Sequence, residues 1–346
     1  MGNPNDSLRI LVVRNDKLGD FMLAWPAFAL LKHYLPQSNI TALVPEYTAP
    51  AAELCPYIDD ILIDNQEGIT GLSKMFRRAN LDAMIALFST TRVAIAGMLA
   101  RIPYRLAPAT KIAQIFYTNR TVQRRSLSEK PEHLYNSELV AQLLVDLKIV
   151  PNNFTLELRG NDHLPKEVTR PLLKLEGNRE EVKRNFLQQH NLPNNTKLAF
   201  VHPGSGGSSV TLSTEQYANL ADNIAENSNH PISIIICAGP RELEIAEDLQ
   251  TLLSNNVTSS IYHSTDGLRQ FIEIMQIADL FISGSTGTLH IAGALDIPTV
   301  GFYPIKQSST SLRWQTLSRS EHRLEFGLHE YTENIRHITD LILMRL

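Results

Sequence analysis

Short apolar runs recur along the chain, each followed by a polar loop and then by apolar residues at helical spacing. Leu8–Val13 predicts a strand buried on both faces, and Ile40–Val44, the patch Ile58–Ile63 and Met84–Phe88 continue the alternation of strands with helices. Between them, FMLAWPAFALLKHYL (21–35) has the spacing of one helix, with Pro26 near its first turns. Arg92–Ala100 also reads as a helix, running into Arg101–Arg105, and His133–Leu147 as a longer one. Residues 151–180 break the pattern with Pro, Asn, Gly and charge, which marks a domain junction. The scheme then restarts. Leu198–His202, Ile232–Cys237, Leu280–Ser283 and Thr299–Tyr303 read as strands, and Thr214–Asn227, Leu243–Leu253 and Asp266–Ala278 as helices. Alternation on both sides of a junction predicts an α/β protein of two doubly wound, Rossmann-like domains, 1–170 and 171–346. The C-terminal helix is a candidate to pack back on the first domain. Ligands of such sheets bind outside the carboxyl ends of the strands, so loops entering a central cleft are expected to carry the chemistry.

Composition narrows the class. The 346 residues are 43% hydrophobic and 20% charged, with a net charge of −4, which gives no global case for nucleic acid. Cys55 and Cys237 lie in apolar surroundings without ligand-like spacing, and read as reduced core thiols of a cytoplasmic protein. The N-terminal MGNPNDSLRILVVR has no signal-peptide pattern, and Asp6 stands where a myristoylation signal wants Ser or Thr. No apolar run reaches the roughly 18 residues of a membrane span, so any contact with the inner membrane is expected to be peripheral.

Three loops fall at strand carboxyl ends: RNDKLGD (14–20), HPGSGGSS (202–209) and SGSTGTLH (283–290). A strand that exits through small residues into a helix presents free N–H groups and a positive dipole end, which suits phosphate; an ordinary strand-to-helix turn is the plainer reading. None of the three is a dinucleotide fingerprint or a P-loop. The chain has no D-x-D, which argues against the metal-dependent kind of sugar-nucleotide transferase. Without a metal, a leaving diphosphate must be met by N–H groups, hydroxyls and cations.

Strand–KLGD–helix, the HPG loop and STGTLHIAGAL, in this order, resemble glycosyltransferase family 9, the ADP-heptose:lipopolysaccharide heptosyltransferases. GMLARIPYRL (97–106) and EHLYNSELVAQLLVDL (132–147) look like the family's middle segments, so the likeness covers nearly the whole chain. It implies a GT-B fold with an N-terminal acceptor side and a C-terminal nucleotide-sugar side, and inverting transfer without metal or cofactor. It also implies a base at Asp20, after Gly19. A helix cap is the alternative for that residue type. Donor contacts are implied at Gly204, Ser205, Gly206, Ser208, Glu242, Ser285, Thr286, Gly287, Thr288 and His290. Acceptor contacts are expected at Lys17, Gly19, Arg120 and Arg124. His290 reads either as a diphosphate contact or as a structural histidine.

Two positions depart from the family. Val210 stands where a lysine contacts the donor phosphates, and Ser285 where the heptosyltransferases carry Asp. Lys17 could supply the missing cation, or be simply solvated. Residues 101–130 carry Arg101, Arg105, Lys111, Arg120, Arg124, Arg125 and Lys130 against Glu129, a local +6. A solvated face is one reading; an anionic glycolipid acceptor is the other, with Ile112, Ile115, Phe116 and Tyr117 suited to a bilayer surface. The expected activity is heptose transfer from ADP-heptose to the lipopolysaccharide inner core. The competing readings are another nucleotide sugar with another surface glycan, or a nucleotide-sugar-binding protein without turnover.

Overall fold

The first apolar run forms β1 (Arg9–Val13) at the centre of a parallel sheet. The elements of this unit are β1, α1 (Leu18–Met22), α2 (Trp25–Tyr34), β2 (Asn39–Val44), α3 (Ala49–Glu53), β3 (Asp60–Ile63), α4 (Ile69–Ala79), β4 (Ala83–Ala86), α5 (Thr91–Leu99), β5 (Tyr104–Pro108), β6 (Asn119–Thr121) and α6 (Glu132–Asp146). A two-residue antiparallel pair follows, β7 (Leu158–Arg159) with β8 (Leu164–Pro165). The computed structural model describes residues 7–110, 112–207 and 210–346, and the chain divides into units Met1–Leu172 and Leu173–Leu346.

The second unit runs α7 (Arg179–Gln189), β9 (Lys197–His202), α8 (Thr214–Asn227), β10 (Ile232–Ala238), α9 (Leu243–Leu252), β11 (Ser259–His263), α10 (Leu268–Met275), β12 (Leu280–Gly284), α11 (Gly287–Ala294), β13 (Thr299–Tyr303), β14 (Arg323–Gly327) and α12 (Leu328–Leu343). Strand orders are β3-β2-β1-β4-β5-β6 and β11-β10-β9-β12-β13-β14, all pairs parallel. Each unit therefore has the doubly wound 3-2-1-4-5-6 order expected of a Rossmann-like domain.

Both faces of each sheet are covered, which is why the strands read as apolar runs. In β1, Leu11 and Val13 pack with Leu72 and Phe76 of α4 and with Val93 and Ala96 of α5. By alternation Ile10 and Val12 face the other layer. In the second unit Ala199, Val201, Ile234, Ile236, Leu280 and Ile282 pack on Leu220 and Ile224 of α8. The C-terminal helix α12 lies in this second unit and adds Tyr331, Ile338 and Ile342 to the same cluster.

Several elements differ from the expectation. The single helix over 21–35 is two, broken at Leu23–Ala24, because Pro26 has no N–H to donate and its ring collides with the preceding turn. The helix expected over Arg92–Ala100 is α5; after it Arg101 turns left-handed (φ 61°) and Tyr104–Pro108 forms a strand paired with β4 that the apolar pattern does not predict. Pro103 bars its predecessor from helix. Helices α4 and α7 and strands β6, β11 and β14 were not expected. α7 buries only Phe186 and Leu187 among charged residues, Phe186 stacking on Phe200 at 6.0 Å.

Phe302 is fully buried between the rings of Tyr217 (6.4 Å), Phe326 (5.9 Å) and Tyr331 (6.1 Å). Phe302→Ala should cost about 3–5 kcal/mol, read as an earlier urea midpoint for the transition of the second unit.

Candidate active site

In a 3-2-1-4-5-6 sheet the order reverses between the first and fourth strands, and that switch point is where ligands bind. In the first unit the loops leaving β1 and β4 meet there; in the second, those leaving β9 and β12.

Arg14 follows the last residue of β1 and is 2% exposed. A charge so deep must be paired. Its Nε faces Asp16 Oδ1 at 3.0 Å, its Nη1 faces Glu132 Oε1 at 3.2 Å, and its Nη2 pairs with Asp20 Oδ1. Nη1 also donates to Asn136 Oδ1 at 3.2 Å, while Asn136 Nδ2 donates to the Leu23 carbonyl at 3.1 Å. Glu132 holds a second cation, Arg125, at 2.7 Å. Asp20 is the third residue of α1 and not its cap; the N-cap position belongs to Lys17, whose side chain makes no cap bond and is exposed. Burial raises the pKa of Asp20; Arg14 pulls it down and Glu132 pushes it up, leaving it above the usual aspartate value. Burial likewise lifts Asp16 to about 7, against the pull of Arg14. A carboxylate with raised proton affinity is the better general base.

The same loop is pinned by Asn15, whose amide donates to Asp64 beside Arg92. Gly19 is buried inside α1.

In the second unit the centre is an anion. Glu242 Oε2 accepts from His202 Nε2 (3.1 Å) and from the Gly239 N–H (3.0 Å), and Oε1 accepts from the Gly206 N–H (3.2 Å). The His202 hydrogen bond is the chief reason its pKa falls to about 2, outweighing burial, with the two backbone N–H groups adding to the effect. A side chain at Gly204 would run into this carboxylate, and Gly206 and Gly207 hold φ of 52° and 73°, so the loop needs glycine at all three. With Nε2 donating to Glu242, His202 Nδ1 accepts from Thr288 Oγ1 at 3.3 Å. Thr288 Oγ1 in turn meets Thr286 Oγ1 at 2.8 Å, and Thr286 meets Ser283 at 3.1 Å. The hydroxyls thus serve one another, and no side chain caps α11 at Thr286. The N–H groups of its first turn, at Gly287 and Thr288, are left facing outward with the positive end of the helix dipole. Ser285, Gly287 and Thr288 are half-buried at this rim.

The geometry brings Gly204, Gly206, Glu242, Thr286 and Thr288 together, adds His202, and places Ser205 in the same loop. Ser208 lies outside the described residues. His290 is 2% exposed, and burial lowers its pKa to about 4, so it is neutral within α11; its Nδ1 is buried without a hydrogen-bond partner among the described residues. Val210 is 66% exposed.

The basic segment divides. Arg105 is spent on the carbonyls of Phe116 and Ile102, Arg125 joins the Arg14 network, and Lys130 pairs with Glu138. Lys111 lies outside the described residues. Arg120 and Arg124 are exposed, on and just beyond edge strand β6, and neither joins the Arg14 network. Tyr117 is buried, bonded to Ser89 at 3.0 Å, and so is withdrawn from any surface role. Ile112 and Ile115 remain well exposed. Among the described residues no group of three or more His, Cys, Asp or Glu is arranged to hold a metal ion, and no helix is long and apolar enough to cross a membrane.

Two parallel-sheet α/β units of this strand order make the GT-B fold, and the sequence model of glycosyltransferase family 9 (heptosyltransferase) matches residues 72–337. The chain belongs to this family. A Haemophilus influenzae protein provisionally named a glycosyltransferase is 42% identical over 324 residues, 92% of this chain and 88% of that one. The solved structure of E. coli ADP-heptose LPS heptosyltransferase II shares the fold with a TM-score of 0.74 over 98% of both chains at 15% identity. E. coli heptosyltransferase WaaC with ADP follows, with a TM-score of 0.67, over 98% of this chain and all of that one, at 17% identity.

Glu242 carries its charge well below the ordinary value of 4.5, so the stability it contributes is full above about pH 4.5 and is lost as pH falls toward about 2. Glu242→Gln should therefore lower the melting temperature at pH 6–7, and the difference from wild type should shrink as the pH approaches about 2. A difference that stays constant across that range would show that the carboxylate charge is not what ties these loops.

Proposed function

We propose that this family 9 enzyme transfers a heptose or related sugar from a nucleotide sugar, ADP-heptose first among candidates, to the inner core of a lipopolysaccharide acceptor. The observation that carries the reading is Asp20, at the carboxyl end of the central strand, held by Arg14 with its proton affinity raised. The acceptor oxygen forms its bond to the anomeric carbon as the bond from that carbon to the diphosphate oxygen breaks. Asp20 takes the hydroxyl proton, and the nucleoside diphosphate leaves with the bonding pair, inverting the centre. The sugar passes through a state of oxocarbenium character. In the second unit, the N–H groups at the start of α11 meet the diphosphate. Glu242 keeps about one of its four acceptor sites for a donor hydroxyl, three being filled.

Exposed Ile112 and Ile115, with Arg120 and Arg124 nearby in sequence, suit the anionic surface on which such an acceptor is carried, giving peripheral contact at the cytoplasmic face of the inner membrane.

A second reading keeps the reaction and changes the donor. Val210 is exposed and uncharged where the family's lysine meets phosphate, and Ser285 offers a hydroxyl where an acid is usual. Both favour a nucleotide sugar other than ADP-heptose. A thermal-shift panel of ADP-, UDP-, GDP- and dTDP-sugars separates the two, because specific binding raises the melting temperature.

Asp20→Asn should reduce transfer by about 10²–10⁴-fold while calorimetry finds donor affinity nearly unchanged. Near wild-type turnover in the folded variant would remove Asp20 as the base. Val210→Lys should tighten ADP-heptose binding, by about 1.5–3 kcal/mol for a charge-assisted contact at fixed ionic strength. If affinity stays level or falls, the ADP-heptose reading yields to another donor.

A further inference from the structure

Three carboxylates surround Arg14, and they are not equally served. Glu132 has Arg125 at 2.7 Å as well as Arg14 at 3.2 Å. Asp16 and Asp20 have the same guanidinium between them, at Nε and Nη2. Asp16 Oδ1 is buried, and its 3.0 Å approach to Nε is an ionic contact without the alignment of a hydrogen bond. The groups facing the pair are Lys17 from their own loop, Glu132 and Asn136 from α6, Arg125 from the segment before α6, and Tyr47, whose hydroxyl donates to the Asp16 carbonyl at 2.7 Å. Fully ionised, the three acids outnumber the two guanidiniums. A buried excess of negative charge is relieved by a proton, as when two carboxylates share one site.

We propose that Asp16 is the second member of a carboxylate dyad that shares Arg14 with Asp20 and sets the pH at which Asp20 accepts the acceptor's proton. Asp16 is thus a positioning residue, acting through the base. Its charge opposes ionisation of Asp20 and makes that carboxylate more basic. As Asp20 is neutralised by the incoming proton, Asp16 remains as the counter-charge of Arg14, so the guanidinium is not left buried and unpaired. The catalytic half of this inference rests on Asp20 being the base.

The test is an NMR titration of the full chain labelled at the aspartate carboxyl carbon, which needs no substrate. In the wild type the two carboxyls should titrate as a coupled pair with interdependent midpoints. In Asp16→Asn, and equally in Asp16→Ser, Asp20 should titrate as a single site with its midpoint lower by about one pH unit. An unmoved Asp20 midpoint overturns the proposal, as do two independent, ordinary curves in the wild type, a result that needs no variant to fold. With a transferable donor, the acid limb of kcat/KM should move down by the same amount. A moved midpoint with an unmoved limb overturns the base assignment and with it the dyad's part in transfer.

Discussion

The buried guanidinium of Arg14 is the constraint around which the first unit's site is arranged. A cation 2% exposed at the end of a central strand has no water to solvate it, so the chain must bring it acceptors from wherever it can. They come from the loop after β1, from α1 and from α6, which joins residues 14 and 132 across more than a hundred positions. Replacing one partner leaves the rest uncompensated, so the loop, the short helix and α6 hold their relative positions together. A candidate base on a five-residue helix would otherwise be poorly fixed. Here its carboxylate is tied to the sheet.

The second unit solves the same problem with the opposite sign. Glu242 gathers N–H groups from two loops and the imidazole of His202, and so ties the ends of β9 and β10. A cation organises the carboxylates of one unit, and an anion organises the donors of the other. Arg14 sits at the switch point of its sheet, and Glu242, beyond the end of β10, reaches the switch point of the other through His202 and Thr288.

How much of this could be read from sequence follows from what each residue had to satisfy. Strands covered on both faces wrote themselves as apolar runs, and Thr214–Asn227 and Thr299–Tyr303 were legible to the residue. Edge strands β11 and β14, half-polar as SSIYH and RLEFG, carry no such run, and α7 is stabilised by two buried side chains among charges. At the site, Asp20, Glu242 and the 285–288 loop were named from motif order. Arg14, Asp16, Arg125 and Glu132 were not named as site residues, because no local pattern joins charges that meet only on folding. One signal was present. The first six residues of α6 are all buried, and the four polar ones among them, Glu132, His133, Asn136 and Ser137, imply partners to be satisfied.

The chain of hydroxyls from Ser283 to His202 bears on how a diphosphate can be met without the family's lysine. Because His202 gives its Nε2 proton to Glu242, each hydroxyl proton is drawn along the chain toward the imidazole and is committed inside the protein. What faces outward at α11 is then the backbone, and in the proposed transfer its N–H groups, fixed by the helix, need no reorganisation as charge develops on the leaving group. Such a cradle is neutral overall. It senses the position of the phosphate oxygens more than their total charge, whereas a lysine at 210 would act as a point charge of long reach. On the proposed reading, exchanging lysine for valine would shift discrimination from charge toward geometry, and the placement of Glu242 and α11 would become the stronger determinant of which nucleotide sugar is accepted.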